Sequence, residues 1–108
     1  MAHLKPKATL QDLQEYIAVH WHERGFDGNT ALQECLLLAE EVGELAKAIR
    51  KDKKTSGMTI DSNSRVGTIA HEIADVLWVT TAIANIYGID VEEAFREKEA
   101  INHQRVWS

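Results

Sequence analysis

Apolar residues return at helical spacing along most of the chain. Leu10, Leu13, Ile17 and Trp21 form one such series behind Thr9 and Asp12, which resemble a capping pair, so a first helix is predicted through about Arg24. Gly25-Phe26-Asp27-Gly28-Asn29 has the composition of a loop. Thr30 with Gln33 makes a second capping box, opening a helix from about Ala31 to Lys51. Arg50, Lys51, Lys53 and Lys54 close it with positive charge, which suits the negative end of a helix dipole. Residues 52–64 read as a mobile surface loop. A third helix is expected over about Arg65 to Tyr87, stopping at Gly88, and Asp90 with Glu93 caps a fourth running to about Val106. Residues 1–8 are a polar lead expected to fray.

The second helix departs from simple amphipathic patterning. It is apolar nearly all round, with carboxylates let into it. At about 100° per residue, Leu37, Glu41, Glu44, Leu45 and Ala48 share one side, and Leu32, Leu36, Ala39, Gly43 and Ala46 the other. A helix buried on both sides carries acids inward only where something offsets their desolvation. In the third helix Glu72 and Asp75, three apart, face one way, and Asp75 is the only charge between Ile73 and Ala84. Carboxylates converging from two buried helices either take up protons or bind a hard cation through oxygen. The pattern reads as a Mg²⁺ site.

Composition narrows the class. The chain has 108 residues, 44% of them hydrophobic, and a single proline, Pro6, so a single all-α domain over residues 1–108 is expected. A formal charge of −5 argues against a nucleic-acid or anionic-membrane surface. The apolar run Val76 to Ile86 is too short to span a bilayer, and Met1 to Gln11 lacks a signal-like hydrophobic stretch. Cys35 has no partner for an internal disulfide, so a reducing cytoplasm is expected, and it reads as a small buried residue. His71-Glu72 does not open a zinc-binding HExxH, because position 75 is Asp. No Gly-rich phosphate loop, Ser-His-Asp grouping or CxxC motif is present. Trp21 and Phe26 near the first loop are candidates for a base pocket, with Trp78 assigned to packing and Trp107 to a terminal or subunit contact. Asn85 is expected to bond a neighbouring helix rather than a sugar or base edge.

Long helices with acids on the second and third suggest a four-helix protomer with its site between helices. Glu40-Glu41-x-x-Glu44 followed by Glu72-x-x-Asp75 resembles the EExxE…ExxD signature of the MazG-like, all-α nucleoside triphosphate pyrophosphohydrolases. The likeness extends to Leu45, to Ala74-Asp75-Val76-Leu77 and to Lys98-x-x-x-Asn102-x-x-Arg105, covering residues 10–106. It implies an enzyme that splits a nucleoside triphosphate into monophosphate and pyrophosphate with Mg²⁺, or Mn²⁺ in its place. It implies Glu41, Glu44, Glu72 and Asp75 as metal ligands, and Glu40 as a group that orients the attacking water or holds a further Mg²⁺. Glu40 can equally be an outward acid paired with Lys47. The resemblance places Lys98, Asn102 and Arg105 on the phosphates or sugar. The basic run Arg50 to Lys54 is a candidate lid over the triphosphate, with Lys54 a candidate contact, and helix capping explains the run equally well.

Two largely apolar helices leave too much hydrophobic surface for a monomer, so a homodimer or homotetramer is expected. Val76, Val79, Ile83, Ile86, Leu36 and Ala39 are the residues expected to cover it. A phosphoribosyl-ATP or dUTP pyrophosphohydrolase is an alternative within the same superfamily. A helical interaction module or ferritin-like metal carrier is an alternative outside it; the carrier is weakened by the lack of a Glu-x-x-His pair, and an interaction module would not need four inward carboxylates.

Overall fold

The computed structural model describes residues 3–52 and 66–105, with side chains from 68 onward in the second stretch. The elements are α1 (Leu10–Glu23), α2 (Ala31–Arg50), α3 (Val66–Ile86) and α4 (Val91–Gln104). No strand occurs among the described residues. Every helix end expected within them falls within about two residues of its expected place, as local capping chemistry requires.

The caps explain the ends. The Thr9 hydroxyl accepts from the Asp12 N–H at 3.1 Å, and the Asp12 carboxylate accepts from the Thr9 N–H at 2.9 Å. Thr30 and Gln33 repeat the exchange at 3.1 and 2.7 Å. Asp90 caps α4 by accepting from the Glu93 N–H at 2.9 Å. At the other ends, Gly25 and Gly88 take φ of +77° and +66°, which an L side chain adopts only with strain. The Phe26 N–H then donates to the Trp21 carbonyl and the Ile89 N–H to the Ala84 carbonyl, closing α1 and α3 in Schellman form. The Trp21 and Phe26 rings meet edge to face with centroids 5.7 Å apart, the hydrophobic contact that accompanies such a cap.

The described residues fall into two compact units. One comprises residues 3–28 and 81–105 and holds α1, α4 and the last turns of α3. Within it α1 contacts α4. Gln14 is the tie: its Nε2 donates to Asn85 Oδ1 and to the Ile89 carbonyl, and its Oε1 accepts from the Val91 N–H. Asn85 Nδ2 donates back to the Gln14 carbonyl at 3.2 Å, so Asn85 bonds a neighbouring helix as expected. Ile17 and Ala82 are buried in this unit.

The other unit, residues 29–80, holds α2 and most of α3. Burial on α2 follows Glu34, Leu38, Glu41, Leu45 and Ala48, spaced four and three, and ends on the buried Asp52. The expectation that both sides of this helix are covered is corrected for the single chain. Leu32 is 69% exposed and Leu36 61%, with Ala39, Gly43 and Ala46 exposed beside them. Cys35 is exposed, not buried, because it lies outside the buried stripe. Of the expected 52–64 loop only Asp52 lies within the described residues; Lys53, Lys54 and Trp107 lie outside them. No described helix is long and apolar enough to cross a membrane.

Candidate active site

The site is built within the second unit. Glu41 sits on the inward stripe of α2, between the half-buried Leu38 and Leu45. Glu72 and Asp75 lie one turn apart on α3, their i, i+3 spacing placing both on one face. One carboxylate oxygen from each of Glu41, Glu72 and Asp75 lies within 4.8 Å of the others. Three like charges at that separation oppose one another. Burial, followed by the charges of Asp75, Glu72, Glu44 and Glu40, pushes the Glu41 carboxyl above its ordinary range.

Glu72 carries the sharper signal. Its Oε2 is buried and accepts no hydrogen bond. An orphaned carboxylate oxygen is costly, and a cation bound there would remove the cost. With oxygen donors alone and no imidazole or thiolate, the set fits Mg²⁺ or Mn²⁺ rather than zinc.

The remaining acids lie alongside. Glu44 is exposed and stands outside the close trio, although its charge acts on Glu41. With Glu72 it lines a cavity of about 190 Å³, completed by Lys47, Ala48, Lys51 and Thr68. Glu40 is exposed, and no ion pair joins it to Lys47 among the described residues. Lys47 was not singled out from the sequence as a nucleotide contact, and Lys51 only as a member of the basic run Arg50 to Lys54. Their signal is the spacing three and seven residues after Glu44, which brings both near its face of the helix.

The other expected contacts belong to the first unit. Lys98 is exposed. Asn102 Nδ2 donates to Glu99 Oε2 at 2.9 Å, while its Oδ1 is buried without a partner. The helical stripe is corrected at its last member: α4 ends at Gln104, and Arg105 is its extended C-cap residue, donating its N–H to the Asn102 carbonyl. Trp21 is half-buried and engaged with Phe26.

Residues 29–105 match the MazG nucleotide pyrophosphohydrolase domain. A dATP/dGTP diphosphohydrolase of Cyanophage S-2L is 35% identical over 104 residues, covering 94% of this chain and 80% of that protein. A dATP/dGTP diphosphohydrolase of Salmonella phage PMBT28 is 33% identical over 99 residues, covering 92% of this chain, which spans 28% of that protein's length.

Proposed function

Since the chain belongs to the MazG nucleotide pyrophosphohydrolase family, we propose that it hydrolyses deoxynucleoside triphosphates, purine ones among them, to monophosphate and pyrophosphate with Mg²⁺. The purine preference follows the names of the two phage relatives. The observation that carries the reading is the Glu41, Glu72 and Asp75 cluster with its orphaned Glu72 oxygen.

Glu41, Glu72 and Asp75 would hold the metal, with Glu44 beside them as a fourth ligand. When bound, Mg²⁺ supplies charge neutralisation for the triphosphate and lowers the pKa of a bound water. Glu40 orients the attacking water and accepts its proton. The water oxygen bonds to the α-phosphorus, and the bond from that phosphorus to the bridging oxygen breaks. Pyrophosphate leaves with the bridging oxygen. Lys98, Asn102 and Arg105 serve the phosphates and sugar, the unpartnered Asn102 Oδ1 being an acceptor still to be filled. Trp21 contributes an aromatic face toward the base, and Lys54 a charge toward the triphosphate. The exposed Leu32 and Leu36 support assembly as a homodimer or homotetramer, and the single cysteine a reducing, cytoplasmic setting.

Hydrolysis of dATP or dGTP in ¹⁸O-labelled water tests the reaction. Label is expected in the monophosphate, pyrophosphate is released intact, and EDTA abolishes turnover. Label in the pyrophosphate, or accumulation of diphosphate, would refute the attack on the α-phosphorus.

A further inference from the structure

Lys47, in the last turn of α2, and Lys51, its C-cap residue, line the same small cavity as Glu44, Glu72 and the Thr68 residue of α3. Neither lysine makes an ion pair among the described residues, although two carboxylates share the cavity with them. Like charges at i, i+4 oppose each other slightly on a helix. Attraction to the negative end of the helix dipole accounts for basic residues in the last turn, but not for their direction around it. Arg50, equally close to that end, lines no part of the cavity. The two lysines and a threonine hydroxyl thus supply anion-binding donors at one spot.

That spot adjoins the carboxylate cluster through Glu72, which belongs to both. The cavity measures about 190 Å³ and is partly open to solvent. Pockets that enclose a whole small-molecule ligand begin near ~300 Å³. Two linked phosphate groups suit the cavity in size, and their charge suits the two lysines, with the rest of a nucleotide lying outside it. Thr68 adds a hydroxyl that donates to a phosphate oxygen, and two ammonium groups supply the compact charges that suit one.

We propose that the cavity formed by Lys47, Lys51 and Thr68 receives the pyrophosphate end of the triphosphate and retains it as the leaving group. The assignment rests on the reaction proposed above. It gives the site a polarity: the β- and γ-phosphates lie toward the C-terminal end of α2, and the α-phosphate toward Glu41. Lys47 and Lys51 take up the negative charge that grows on the bridging oxygen as its bond to the α-phosphorus breaks.

The test compares pyrophosphate with a deoxynucleoside monophosphate, each titrated calorimetrically in Mg²⁺ against wild type and the Lys47→Gln/Lys51→Gln double variant. Pyrophosphate affinity is expected to fall roughly tenfold, with monophosphate affinity held within about twofold. The Lys47→Arg/Lys51→Arg variant keeps the charge and should recover most of the pyrophosphate affinity. Helix content and melting temperature in the absence of ligand should be unaltered in both. Unchanged pyrophosphate affinity in the Gln variant, equal loss of both ligands, or no pyrophosphate binding by wild type would overturn the assignment. Wild type that binds pyrophosphate through these lysines but hydrolyses no triphosphate would instead overturn the reaction. An active wild type with an indifferent double variant would leave the reaction and remove the lysines from it.

Discussion

Glu41 and Asp12 show how one functional group, the carboxyl, meets opposite environments. Burial and neighbouring acids raise the Glu41 carboxyl. A raised folded-state value favours the protonated form, so its contribution to stability is present below the unfolded value and lost as pH rises through the folded one. At neutral pH the metal-free protein therefore carries a cost there. Glu41→Gln is expected to raise the melting temperature in EDTA and to lower turnover roughly a hundredfold or more, read by calorimetry and by pyrophosphate release. A Gln variant that melted lower in EDTA would show that repulsion does not govern the cluster. Asp12 is held below its ordinary value of 3.8, chiefly by the Thr9 N–H, then by the Thr9 hydroxyl and Lys5.

At the scale of the element, Asp12 ties α1 to pH. Its folded value is depressed, so the stability it adds is present above the unfolded value and lost as pH falls through the folded one. Urea melts of Asp12→Asn followed from neutral pH downward should show a shallower acid limb than wild type. An identical limb would mean that the cap contributes nothing pH-dependent. The same paired exchange at Thr30 and Gln33 starts the helix that carries Glu40, Glu41 and Glu44. Thr30→Ala there should cost about 1 kcal/mol, measured by urea unfolding.

For the whole molecule the deciding quantity is uncovered apolar surface. Among the described residues, Ile17, Ala48 and Ala82 are the buried hydrophobic side chains, while Leu32, Leu36, Val42, Ile73 and Leu77 are exposed. A monomer with so little buried core would be poorly stabilised, and the proposed self-association would cover the remainder. Sedimentation should give a dimer or tetramer for wild type. Leu32→Glu/Leu36→Glu should lower the mass and the melting temperature together. A monomeric wild type, or a variant of unchanged mass, would remove α2 from any subunit interface.

Helix identity and helix ends were legible in the residues because capping is local: Thr9, Thr30 and Asp90 find their N–H partners three residues on. The acidic spacing likewise announced a site, since i, i+3 and i, i+4 positions share a helix face wherever the helix lies. The exposure of Cys35, the close trio that excludes Glu44, and the cavity that joins Lys47, Lys51 and Thr68 were not legible. Each depends on how α2 is rotated about its axis toward α3, a long-range packing choice. A turn of one residue, about 100°, exchanges one set of side chains for another without altering the periodic pattern. Residue order established which groups could act together; packing selected those that do.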